Sequence, residues 1–171
     1  MNPMADPGEA QERVARPGWE DYFMEIARVV STRSSCLRRQ VGAVLVKNRQ
    51  ILATGYNGVP RGLRHCDERG CLRAELGIPS GERHELCRGL HAEQNAICQA
   101  ARFGIPLEGS TLYCKMEPCF TCAKMIVNCG IKRVVCAGRY HAAIQSRDLF
   151  KKAKVKLCVL SDDLVKYKGQ K

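Results

Sequence analysis

The chain has 171 residues, 45% of them apolar, enough for one substantial hydrophobic core and short for two. No run is long enough to span a bilayer, and MNPMADPGEAQERVARPG places acidic residues and prolines where a secretory signal needs an apolar stretch, so a soluble cytoplasmic protein is expected. A formal net charge of +11 would draw nucleic acid or a phosphorylated small molecule, but the C-terminal KKAKVK and DDLVKYKGQK carry much of the excess, and such charge is commonly solvated surface.

Residues 1–16 read as a disordered lead-in by composition, and residues 17–171 as a single domain. Pro17 suits the first turn of a helix through WEDYFMEIARVV, whose Tyr22, Ile26, Val29 and Val30 share a face. VGAVLV and ILATG, separated by KNRQ, predict a hairpin. From about residue 57 to 90, glycines, prolines, charges, cysteines and histidines follow one another without a period, an insertion that needs local bracing. HAEQNAICQAARFG then predicts a helix ended by Gly104, STLYCK a strand, and PCFTCAKMIVNCG a helix between Pro118 and Gly130. IKRVVCAG, SRDLFKKA and VKLCVL continue as strand, helix and strand. The alternation predicts an α/β sheet covered by helices on both faces.

Eleven cysteines without a secretion signal point to metal binding in a reducing compartment rather than to disulfides. Cys119 and Cys122 stand one turn apart at the start of a helix, where the dipole favours thiolates, and His91 opens another helix. Three such ligands leave a tetrahedral zinc with one open position, where water can be activated near neutral pH. Glu93, two residues beyond His91, is placed to accept that water's proton, pass it to a ring nitrogen and later protonate departing ammonia. A lone C-x-x-C would equally fit a redox pair or half of a structural zinc site. The ordered pair H-x-E and P-C-x-x-C is the general pattern of zinc nucleobase deaminases.

With HAEQNAI and PCFTCAKMIVNCGIKRVV, the chain resembles the cytidine deaminase-like superfamily. STRSSCLRRQVGAVLV and ILATGYNGVPRGLRHC extend the resemblance to the deoxycytidylate (dCMP) deaminases, in the bacterial branch that includes late competence protein B-like members. It covers Trp19 to about Leu160. It implies a three-layer α/β/α sandwich around a mixed sheet of about five strands and conversion of dCMP to dUMP for thymidylate synthesis. A homo-oligomer is also implied, commonly a hexamer, with dCTP or dTTP as regulators and Mg accompanying an allosteric nucleotide. Asn57 in GYNG matches the family position that contacts the sugar, and Tyr140 matches one near the base, where an aromatic face could stack on the pyrimidine. Arg33 and Arg102 are the candidates for phosphate, the latter at a position tied to nucleotide or subunit contacts.

The insertion adds Cys66, Cys71, His84 and Cys87, in two short-spaced pairs typical of structural zinc, and Cys36 precedes the hairpin. Cys36 and Cys66 match ligands of a second zinc in a phage-type branch of the family. Of five side chains for four places, Cys36, Cys66, His84 and Cys87 are expected, with Cys71 as substitute and His65 in reserve. The alternative functions are a transfer-RNA adenosine deaminase and a catalytically silent zinc or DNA-binding competence protein. A retained Glu93 argues against the second, because a structural zinc has no need of it.

Overall fold

The computed structural model describes residues 15–79 and 81–164. Most of the expected lead-in and the last seven residues lie outside these.

Helix α1 (Trp19–Ser31) follows Gly18, with Pro17 just ahead of the cap rather than inside the first turn. Its buried stripe is Phe23, Ala27 and Ser31, while Tyr22 and Val29 are exposed, so the expected face is displaced by one position. The reason lies on the sheet. A Cβ at Gly42 would meet Ala27 O at 2.1 Å, so the helix backbone rests directly on that glycine, and only small side chains fit at the contact.

Strands β1 (Gly42–Lys47) and β2 (Gln50–Tyr56) form the expected antiparallel hairpin, with a register irregularity between Leu45 and Val46. Asn48 and Arg49 both take positive φ, the two-residue turn whose twist matches that of paired strands. The insertion contains two short helices, α2 (Cys66–Arg69) and α3 (Leu72–Glu75), and a 3-10 turn at His84–Leu86. Reciprocal backbone hydrogen bonds between Gly58 and Leu90 close its base. Arg38 and Arg73 donate to the carbonyls of Ile78 and Glu82 and brace its far limb. These bonds supply the order that an apolar core would supply elsewhere.

Helix α4 (Ala92–Arg102), strand β3 (Thr111–Met116), helix α5 (Phe120–Asn128), strand β4 (Arg133–Gly138), helix α6 (Ile144–Lys152) and strand β5 (Lys156–Val159) complete the order read from the sequence. Gly104 and Gly130, both at positive φ, follow the ends of α4 and α5 as predicted. The sheet order is β2-β1-β3-β4-β5, with β1 antiparallel to β2 and β3, and β3, β4 and β5 mutually parallel. Alternation along the strands sorts their side chains into two layers. Val44, Val46, Tyr113 and Val135 pack with Phe23 and Ala27 of α1. Ala43, Leu45, Leu112, Cys114, Val134 and Cys136 pack with Ala96, Ala123, Ile126 and Phe150 from the other helices. The result is a three-layer α/β/α sandwich. No helix among the described residues is long and apolar enough to cross a membrane.

Candidate active site

Two helix N-termini meet above the sheet, α4 capped by His91 and α5 by Cys119. The Gln94 side chain accepts a hydrogen bond from the His91 backbone N–H, and the Asn95 amide donates to Tyr56 O at 2.7 Å, tying α4 to β2. On the other side, β3 runs into Glu117 and Pro118 before α5 begins.

His91, Cys119 and Cys122 bring one ligand atom each within 4.8 Å of one another, the one such group among the described residues. His91 Nδ1 lies 3.4 Å from Cys119 Sγ and 3.5 Å from Cys122 Sγ. Zinc bonds of about 2.3 Å to sulfur and about 2.0–2.1 Å to nitrogen, at tetrahedral angles, set nitrogen and sulfur roughly 3.5 Å apart. The donor set and its spacing therefore fit zinc. The hydrogen bond from Cys122 pulls the Cys119 thiol down to about 3 against its burial, with His91 assisting. That same bond, together with burial, pushes Cys122 well above the ordinary thiol range. A divalent cation bound here would need both sulfurs as thiolates.

Glu93 is buried against this cluster, and burial raises its carboxyl in spite of the neighbouring His91. Beside it opens a cleft of about 790 Å³ including its mouth, the size class of small-molecule sites. Asn57, His84, His91, Glu93, Cys119 and Tyr140 all line it.

The remaining predicted residues divide. Asn57 is in the cleft, but its amide already bridges the backbone, Oδ1 accepting from Val41 N and Nδ2 donating to Arg39 O, both at 2.8 Å. One lone pair and one N–H remain for a ligand. Tyr140 is buried, with its hydroxyl 3.2 Å from Gly81 O and from His84 Nε2. Neither Arg33 nor Arg102 lines the cleft. Arg102 ends α4, the far end from His91, and lies over the Phe103 ring. The arginines that do line the cleft are Arg38, Arg39 and Arg73. Burial, then the charge of the neighbouring Arg39, lowers the pKa of Lys115, which does not itself line the cleft.

Cys36, Cys66 and Cys87 also line the cleft, and burial followed by the neighbouring Cys36, Cys87 and Cys71 raises the Cys66 thiol. No three of these sulfurs fall within 4.8 Å of one another. His84, the expected fourth member, turns its ring to other partners in this structure. Its Nδ1 is 3.0 Å from His91 Nε2 and its Nε2 is 2.9 Å from Gly81 O. Burial, then the charges of His91 and Arg73, lower its pKa. The reserve candidate His65 bonds Ser35 Oγ through Nδ1.

Glu117 was not foreseen from the sequence. Its buried carboxylate accepts two hydrogen bonds from Arg147, at 2.7 and 2.6 Å, and one from the backbone N–H of Tyr140 at 2.9 Å. It thereby fixes the segment after β4 against the cleft. An acidic residue directly before the P-C pair was the available signal, though nothing in the sequence pairs it with Arg147.

A mixed five-stranded sheet between helical layers, with one histidine and two cysteines converging from two helix N-termini, defines the cytidine deaminase-like class of α/β/α proteins. The chain belongs to that family, since residues 17–138 match the model for the cytidine and deoxycytidylate deaminase zinc-binding region. It is 42% identical over 142 residues to deoxycytidylate deaminase of Schizosaccharomyces pombe, covering 83% of this chain but 44% of that protein. The chain thus spans less than half the length of that relative. ComE operon protein 2 of Bacillus subtilis is 37% identical over 82% of this chain and 70% of its own length. Among solved structures, dCMP deaminase from cyanophage S-TIM5 in complex with dCMP and dUMP aligns with a TM-score of 0.69 and 33% identity. That alignment covers 85% of this chain and 99% of the phage protein.

Proposed function

We propose that the chain catalyses hydrolytic deamination of dCMP to dUMP and ammonia, feeding thymidylate synthesis. The observation that carries the reading is Glu93, a buried carboxyl with a raised pKa in a cleft beside a His-Cys-Cys cluster of zinc dimensions. Zinc held by His91, Cys119 and Cys122 would supply a Lewis acid that acidifies a water at its open position. Glu93 takes one proton from the attacking water and delivers it to the pyrimidine ring nitrogen, then takes the second from the newly added hydroxyl and passes it to the leaving amine as the C–N bond breaks. Tyr140 bounds the base, and the free hydrogen-bonding capacity of Asn57 serves the sugar. For the phosphate, Arg39, which lines the cleft, is proposed in place of Arg33 and Arg102. The names of the relatives support the monophosphate substrate. Incubating the purified protein separately with dCMP and with transfer RNA tests this. Ammonia is expected from dCMP, and release from transfer RNA alone would overturn the assignment.

We also propose a second, structural zinc on Cys36, Cys66, Cys71 and Cys87, with Cys71 as the fourth ligand in place of His84. The support is that Cys36, Cys87 and Cys71 all neighbour Cys66, and that the Gly89 N–H is directed at Cys87 Sγ at 3.5 Å. A metal there would brace an insertion that has little apolar packing of its own. Elemental analysis should find two zinc ions per chain in the wild type and one in Cys66→Ser. A wild-type value near one would sink this assignment while leaving the deaminase reading intact.

A further inference from the structure

The two ring nitrogens of His84 face His91 on one side and Gly81 O, with the Tyr140 hydroxyl, on the other. The proton arrangement follows from simple counting. His91 presents Nδ1 to the two cysteine sulfurs, so a neutral imidazole binding metal through Nδ1 must carry its hydrogen on Nε2. That N–H points to His84 Nδ1 at 3.0 Å, which must then be the acceptor. A neutral His84 accepting at Nδ1 carries its own hydrogen on Nε2, 2.9 Å from Gly81 O. The carbonyl offers only lone pairs, and the Tyr140 hydroxyl beside Nε2 directs its own hydrogen to that carbonyl, so Nε2 is the donor at that end. The Tyr140 hydroxyl, donating to the same carbonyl at 3.2 Å, closes the relay from the cleft side.

We infer that His84 is a positioning residue that locks the His91 ring in its Nε2–H tautomer and holds Nδ1 toward the two sulfurs. This rests on the reading that His91 holds zinc. The fold supports His84 in this place from several directions. Arg73 donates to Glu82 O and Arg38 to Ile78 O, holding the segment on either side of Gly81. Cys87 N donates to His84 O at 3.0 Å, so the 3-10 turn that carries the histidine ends on a thiol of the insertion cluster. Partners of this kind orient a metal-bound imidazole and raise its basicity, and losing one typically weakens metal binding by about 10–100-fold.

The test is withdrawal of zinc from the loaded protein by a graded chelator, with His91→Ala identifying which release step belongs to the His91 site. His84→Ala should release that zinc at a chelator concentration about 10–100-fold lower than wild type, with the other zinc unmoved. His84→Asn, whose Oδ1 can accept from His91 Nε2–H, should recover most of the retention. A second measurement needs no variant: nitrogen NMR of the loaded wild type should show both rings protonated on Nε2. Unchanged retention in His84→Ala, loss of the other zinc in its place, or an Nδ1-protonated or metal-bound His84 would each overturn the role. If His91→Ala loses no metal, the zinc assignment itself fails, an outcome distinct from any of these.

Discussion

Glu93→Gln is expected to lower kcat for dCMP by about 10⁴-fold, the upper end of what a single proton-transfer group contributes. The upper end applies because one carboxyl serves the attacking water, the ring nitrogen and the leaving amine, and glutamine can neither accept nor deliver a proton at any of those steps. The amide preserves size and shape in the first turn of α4, and Glu93 is not among the three clustered ligand residues. Zinc content should therefore stay at the wild-type value. Stability should not fall either. Burial raises the Glu93 carboxyl, so the folded state holds its proton more tightly than the unfolded chain does. Such a group costs stability as pH rises from its unfolded pKa through the raised folded one. In the metal-free protein at neutral pH, glutamine removes that cost, and the variant should melt no lower than wild type. Steady-state kinetics, elemental analysis and a thermal melt check all three expectations. Turnover within about tenfold of wild type would exclude Glu93 as the proton carrier.

The parts of the molecule legible in the sequence are those set by local chemistry. Strand alternation, the helix-ending glycines and the spacing of His91, Cys119 and Cys122 each follow from a short window, and the structure places all of them as read. The departures come from contacts between segments distant in the chain. The stripe on α1 moved by one position because Gly42, on a strand, admits the helix backbone at Ala27. The H-x-x-C spacing groups His84 with the cysteines, while in the structure Arg83 takes a left-handed φ of 48° and the His84 imidazole faces His91. Position in motifs points to Arg33 and Arg102. Of the three arginines in the cleft, Arg38 and Arg39 sit just before β1, where entry into the central sheet delivers them to the site. The pairing of Glu117 with Arg147 spans 30 residues and one full strand, and no local pattern encodes it.

Gly55→Ala should both destabilise the protein and damage its chemistry, although position 55 offers no functional group. Gly55 lies in β2 opposite Ala43, under the first turns of α4. A Cβ there would meet Ala92 O and Ala96 N, each at 2.3 Å, and Ala96 Cα at 2.9 Å. These are backbone atoms of a helix, with no rotamer to yield, so α4 must recede by about 1 Å to restore ordinary contact. Overpacking of this kind costs typically about 1–3 kcal/mol, and a rigid backbone neighbour puts the cost near 3 kcal/mol. In a chain of this size that is a fall in Tm of roughly 10 °C. The retreat also strains the bond from Asn95 to Tyr56 O and carries His91 and Glu93 away from Cys119 and Cys122, which ride on α5. A misplacement of about 1 Å at reacting groups can cost about 10²-fold in rate, so kcat per folded molecule should fall by that order. Gly42→Ala is the matched control. Its Cβ would press on Ala27 O at 2.1 Å and Ser31 N at 2.7 Å, on the opposite face of the sheet. It should lose comparable stability, but α1 supplies neither metal ligands nor the proton carrier, so its folded fraction should keep kcat within a few-fold of wild type. If both variants lose activity only in proportion to unfolding, the close approach at Gly55 serves stability alone and does not set the register of the site.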